Sequence, residues 1–109
     1  MKKFSLNDFI KGWFIGDFEP TIFPSKDFEV AIKRYKEGDN EKSHTHRIST
    51  EYTIIVSGHV LMNDNVYETD DIIVISPSEY TDFHCLTDVI TCVVKTPSSK
   101  NDKYVKWMF

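Results

Sequence analysis

The stretch GDNEKSHTHRISTEYTIIVSG, residues 38 to 58, decides how this chain folds. It sets His44 and His46 two positions apart, places Glu51 five residues later, and closes the whole between Gly38 and Gly58. In an extended segment successive side chains point to opposite faces, so both imidazoles project to one side of Ser43 to Arg47 and Thr45 to the other. That is a chelating arrangement. The intervening Arg47-Ile48-Ser49-Thr50 can make a short turn, after which Glu51 opens an apolar strand over Tyr52 to Ser57 and swings back toward the histidines. Two neutral imidazoles and a carboxylate form a mixed nitrogen and oxygen donor set. Such a set suits a divalent transition metal (Fe, Mn, Ni, Co or Zn) better than Cu(I) or a thiolate-bound structural zinc, and it leaves coordination positions for water or substrate. A bare H-x-H pair is equally what two exposed loop histidines would give, so the surrounding spacing carries the weight.

Outward from this stretch the chain reads as β-structure. Phe28, Val30, Ile32 and Arg34 alternate with Glu29, Ala31, Lys33 and Tyr35, the period of a half-buried strand. The same period returns in 59–62, 65–67, 72–76 and 89–95. Several short strands in close succession predict an antiparallel sandwich or barrel. Asn63-Asp64 has the composition of a tight turn, and Asp70-Asp71 and Pro77-Ser78 mark further corners. Arg34 shares the apolar parity of its strand, which predicts a side chain inside the barrel that can hold a substrate carboxylate or phosphate. The bland reading is an arginine snorkelling out at a strand end. Tyr52, Thr53 and Tyr80 are pocket candidates on the same terms, with strand packing as the bland reading; His59 reads as a surface residue. Ser5 to Asp8 has the form of a capping box, which predicts a short N-terminal helix ending near Gly12. The aromatic run from Gly12 to Pro20 reads as a strand that covers the barrel or builds a dimer contact. Beyond Ser98 the tail is polar until Val105, Trp107, Met108 and Phe109, whose apolar side chains predict docking on the body or on a second chain.

Composition limits the function. A chain of 109 residues has room for one domain, residues 1–109, with a modest core. The formal net charge is −4 and the lysines and arginines are scattered, so no basic stripe suits nucleic acid. No apolar run is long enough for a signal peptide or a bilayer span, which predicts a cytoplasmic protein without membrane contact. Cys85 and Cys92 read as free thiols of a reducing compartment.

The full spacing is Gly38, five residues, His44-Thr45-His46, four residues, Glu51, six residues, Gly58. It matches every fixed position of the first signature motif of the cupin family. The chain resembles a small single-domain cupin, over a signature region of about residues 28–94 followed by the tail 96–109. The resemblance implies an all-β, antiparallel jelly-roll barrel in which the glycines serve strand corners and His44, His46 and Glu51 bind metal. The family's second motif fits less well. Asp71 stands where it has glycine, Pro77 is in register, Glu79 replaces a glycine, and the fourth-ligand position, usually histidine, falls on Asp82. Asp82 as ligand gives a harder set favouring Mn or Fe(II). His84, two residues on and on the same face of an extended strand, gives the usual three-histidine set; in a third alternative neither binds.

Function is less constrained. Cupins include dioxygenases, sugar isomerases and epimerases, decarboxylases and non-catalytic binding modules, and the short chain is similar to small cupins of carbohydrate or nucleotide-sugar metabolism. The resemblance thus implies a small polar, sugar-like ligand, with turnover or binding alone both open and a purely structural metal as a third reading. Exposed strand edges and the aromatic N-terminal segment predict a homodimer.

Overall fold

The structure, a computed structural model, describes residues 1–105. Trp107, Met108 and Phe109, expected to dock, lie outside the described residues. The described residues form ten strands: β1 (Trp13–Ile15), β2 (Glu29–Tyr35), β3 (Asn40–His46), β4 (Thr50–Ser57), β5 (His59–Met62), β6 (Asn65–Glu68), β7 (Ile72–Ile75), β8 (Thr81–Cys85), β9 (Val89–Thr96) and β10 (Lys103–Val105). They make two five-stranded sheets, ordered β1-β2-β9-β4-β7 and β10-β3-β8-β5-β6, with every strand pairing antiparallel. This is the expected jelly roll. The expected N-terminal helix is reduced to two single 3-10 turns, Leu6–Asp8 and Ile10–Gly12. Ser5 and Asp8 do close a capping box, but Phe9 is extended and Lys11 and Gly12 have positive φ, so no second helical turn can follow.

Inward side chains change character along the barrel. On β9 they run Val89, Thr91, Val93, Lys95, and on neighbouring β4 they run Ile55, Thr53, Glu51, with Glu51 directly opposite Lys95. One end therefore packs as an apolar core of Ile55, Val60, Met62, Ile75, Phe83, Cys85 and Val89. The other end is polar and open. The glycines of the signature stretch sit at corners, Gly38 at φ +90° and Gly58 at φ +108°, where an L side chain is strained; a Cβ at Gly58 would also run into the Asp88 carbonyl.

Sheet parity on β2 corrects one expectation. Glu29 and Ala31, at 8% and 0% exposure, face inward with Lys33 and Tyr35, and Arg34 is exposed on the outer face. The apolar parity misled because the outer face is covered as well. Val30 and Ile32 are both half-buried, and Ile32 shares a groove with Leu6, Phe9, Phe14 and Ile22 of the N-terminal segment. A strand covered on both faces no longer announces its core side by apolarity.

Both cysteines are free, Cys85 buried in the core and Cys92 half-buried on β9. No helix among the described residues is long and apolar enough to cross a membrane.

Candidate functional site

The polar end of the barrel encloses a cavity of about 230 Å³, bordered by His44, His46, Glu51, Thr53 and Thr81. This is well above the ~10–15 Å³ that a single water needs. The two histidines reach it because β3 carries an irregularity. Glu41 opposes Phe83 and His44 opposes Thr81, so three residues on β3 span two on β8. That extra residue is a β-bulge, and it moves the inward face from odd to even positions. Glu41, His44 and His46 consequently all border one cavity.

Each histidine is held from behind. His44 Nδ1 donates to the Lys42 carbonyl at 2.9 Å, and His46 Nδ1 donates to the Asp102 carbonyl at 3.2 Å. A carbonyl can only accept, so each Nδ1 carries a proton and the Nε2 atoms are the ones left to face the cavity; that of His46 meets Glu51 through a proton whose place a metal ion would take. His44 and His46 are 8% and 6% exposed, with ring centroids 5.6 Å apart and the rings nearly perpendicular. Burial lowers the pKa of His44, aided by the charge of Lys103 and opposed by the bond to Lys42.

Glu51 completes the set. Its Oε1 lies 3.4 Å from His46 Nε2, and its Oε2 accepts from the Thr53 hydroxyl at 2.8 Å. Burial pushes its carboxyl up, but the bonds from His46 and Thr53 and the charges of His46 and Lys95 outweigh it and hold the pKa down at about 2. Glu51 is an anion at any physiological pH.

Neither candidate for a fourth ligand reaches the cavity. Asp82 and His84 share a face of β8 as expected, but it is the outer one, and they border a shallow external groove with Asn40 and Leu61. The inward residues of β8 are Thr81, Phe83 and Cys85, 7%, 7% and 1% exposed. Asp82 has a different task. Its Oδ1 accepts from the Asn63 amide at 2.8 Å and its own amide donates to Asn63 Oδ1 at 3.2 Å, which pins the turn at Asn63-Asp64, both at positive φ, between β5 and β6. Of the pocket candidates, Thr53 borders the cavity, and Tyr52 is exposed on the outer face.

Several residues of the site went unnoticed in the sequence. Tyr35 donates to Glu41 Oε1 at 2.8 Å inside the cavity; burial and the neighbouring carboxylate push its phenol well above the usual range. Asp102, 5% exposed, accepts from the backbone amides of Arg47, Ile48 and Ser49 at 3.0–3.1 Å. It thus clamps the turn between His46 and Glu51 with its side chain while its carbonyl holds the His46 ring. Burial pushes its carboxyl up, and the three amides hold it below the usual value. Trp13, Lys33 and Lys95 also line the cavity. The inward parity of β2 and β9 is the signal that would have found the lysines; nothing local marks Asp102.

The donor chemistry fits a divalent transition metal, with two imidazole Nε2 atoms and an ionised carboxylate lining one polar space. The ring nitrogens remote from it are anchored in the manner usual for ligating histidines. Among the described residues, however, no group of three or more His, Cys, Asp or Glu side chains is gathered closely enough to hold an ion. His46 and Glu51 stand together and His44 stands apart.

The fold is that of known cupins. A protein with a double-stranded β-helix domain from Klebsiella pneumoniae superposes with a TM-score of 0.71 at 15% identity, over 95% of this chain and 90% of its own. The DMSP lyase DddQ from Ruegeria pomeroyi gives 0.72 at 14% identity, over 92% of this chain and 54% of its own. An RmlC-like cupin from Shewanella frigidimarina gives 0.64 at 18% identity, over 71% of each chain. No family model and no curated protein matches the sequence.

Proposed function

We propose that this cupin-fold chain binds a divalent transition metal through His44, His46 and Glu51 and holds a small polar molecule beside it in the cavity. One observation carries the reading: both Nδ1 atoms are tied to backbone carbonyls, so both Nε2 atoms are turned to the cavity that also holds an ionised carboxylate. A metal bound there supplies Lewis-acid or oxygen-activating chemistry. The chain's own residues do the rest. Asp102 orients His46, Thr53 orients Glu51, and the Tyr35–Glu41 pair offers a proton-bearing group to a ligand on the opposite wall. Because β8 brings Thr81 and Phe83 rather than a histidine, the donor set is two histidines and one carboxylate. Such a set leaves several positions open and favours oxygen chemistry over a purely structural ion. Isomerisation or epimerisation of a sugar-like molecule is the other enzymatic reading. DddQ, a lyase with this fold, makes turnover in such a barrel worth testing.

The test is metal content. Protein purified without added metal should carry close to one equivalent, and His44→Ala with His46→Ala should abolish it while far-UV circular dichroism stays unchanged. Unchanged metal in the double variant overturns the assignment. A non-catalytic binding module is the second reading, favoured by the separation of His44 from the His46–Glu51 pair. Ligand-induced thermal stabilisation without turnover on sugar phosphates or keto acids, with oxygen uptake followed, would select it.

A second copy of the chain is the proposed partner, in the cytoplasm. The outer faces of β7 and β4 expose Ile72 at 65%, Val74 at 53%, Val56 and Tyr52, a contiguous apolar strip on the edge strand and its neighbour.

A further inference from the structure

The cavity that holds the histidines is also the place where this acidic chain concentrates positive charge. Lys11, Lys33, Lys95 and Lys103 line it against Glu41 and Glu51, a net charge of +2 within a chain of net −4. Glu29, buried behind Lys95, lowers the local excess to +1. Three facts single out Lys33. Lys95 Nζ is matched by Glu29 at 3.2 Å and Lys103 by Glu41 at 3.9 Å, whereas among the described residues no hydrogen bond or ion pair reaches Lys33 Nζ. Lys33 is half-buried and points inward from β2, its ammonium 5.2 Å from the centre of the Trp13 ring, with Lys95 Nζ 4.9 Å from the same ring. Directly across the β2–β9 ladder stands Thr91, 1% exposed, which borders the same cavity and whose buried hydroxyl has no partner among the described residues. A half-buried ammonium without a counter-ion thus stands beside a buried hydroxyl without a partner, and it is the hydroxyl that costs free energy while nothing pairs with it.

We infer that Lys33, supported by Thr91 and the Trp13 face, is the anchor for an oxyanion group, a carboxylate or a phosphate, on the molecule that occupies this cavity. A small organic anion held there faces His44 and His46 on the opposite sheet, with Glu51 two strands along from Lys33 in its own sheet and Tyr35 on the same strand as Lys33. This deepens the reading above by naming the ligand's charge, and it rests on that reading only in assuming that the cavity is the ligand's site; it needs no metal. The lowered pKa of Lys33, caused first by burial and then by Lys95 and Lys103 against Glu41 and Glu51, is what an ammonium without its counter-ion shows. The group has an electrostatic vacancy that a ligand fills.

The test is an NMR titration read at the Trp13 indole N–H, assigned with Trp13→Phe, using lactate, inorganic phosphate and neutral glucose as probes on the full chain. Lactate or phosphate should shift that resonance saturably and glucose should not; whichever anion saturates at lower concentration names the source. Lys33→Met should weaken anion binding roughly tenfold or more, as loss of a charge-assisted contact does, and Lys33→Arg should restore much of it. The same titration in the His44→Ala, His46→Ala protein separates the two readings. Binding that survives there and fails in Lys33→Met supports the anchor whatever becomes of the metal. Binding that fails there and survives in Lys33→Met means the anion sits on the metal, which overturns the anchor and leaves the metal assignment standing. Glucose binding as well as the anions, or no anion binding to the wild-type protein, also overturns it. If Lys33→Met does not fold, Lys33→Gln gives the same readout.

Discussion

Removing the Asp102 side chain should destabilise the barrel and loosen the metal site together. The carboxylate receives four short contacts from three amides: Arg47 N at 3.0 Å, Ile48 N at 3.1 Å to either oxygen, and Ser49 N at 3.0 Å. Only the Ser49 donor is on a buried residue, 2% exposed; Arg47 and Ile48 are exposed, so water can replace the carboxylate there. One buried charge-assisted bond at ~1.5–3 kcal/mol and two wet ones at roughly 0.5 kcal/mol each put Asp102→Ala at about 2.5–4 kcal/mol. For a domain of this size that corresponds to a fall in Tm of roughly 10–20 °C. Asp102→Asn keeps one acceptor and should lose about half as much.

The pH dependence has a definite sign. The native pKa of Asp102 lies below its ordinary value, so its contribution is present above the unfolded pKa of about 3.9 and is lost as pH falls through the native value. The Tm gap between wild type and Asp102→Asn, followed by circular dichroism, should therefore be full at pH 6 and shrink steadily below about pH 4. Metal affinity in Asp102→Ala should fall by about 10- to 100-fold, because the loop that places the His46 ring is released. A melting temperature within about 3 °C of wild type at neutral pH would refute the clamp, and a gap that persists undiminished in acid would show that charge is not its cause.

Asp82→Ala and His84→Ala should both leave metal stoichiometry intact, and Asp82→Ala alone should cost about 1 kcal/mol in chemical denaturation by freeing the Asn63 turn. Burial raises the Cys85 thiol to about 11, so at pH 8 a thiol reagent should modify Cys92 in the folded protein and reach Cys85 only on unfolding; rapid labelling of both would contradict the packing. Val74→Lys, placed in the exposed strip of β7, should turn a dimer into a monomer by light scattering with little change in Tm, and a wild-type protein already monomeric at micromolar concentration would remove the proposed partner.

Much of the fold was legible because strand period is a local property. The turn at Asn63-Asp64 follows from neighbouring residues alone, whereas the glycine corners came with the family spacing and the inward turn of both histidines depends on the bulge against β8. The failures share a cause that is not local. The parity that allowed an inward Arg34, beside the alternative of an arginine snorkelling out, rested on apolar neighbours such as Ile32, yet Ile32 is covered by a segment that begins at residue 4 and returns as β1. Asp82 and His84 were placed correctly relative to each other and on the wrong side, since two-residue alternation fixes which side chains share a face without saying which face meets the partner sheet. Phe83 and Cys85, both apolar and both buried, carried that information.

Asp102 was out of reach altogether, and the reason bears on how the site works. The residues that set the His46–Glu51 geometry lie 53 to 55 positions away in sequence from the turn they clamp, and the strand that follows, β10, pairs with β3 along His44, Thr45 and His46. The candidate ligands are thus positioned from two sides, by β8 through the bulge and by the tail through Asp102. A bulge without the tail would still turn both imidazoles inward, but the His46 ring would lose the carbonyl that holds its Nδ1, and with it the orientation that brings Nε2 to Glu51. The tail is therefore best regarded as part of the site, and a chain shortened before Asp102 should keep its barrel strands while losing the metal affinity that depends on an ordered His46.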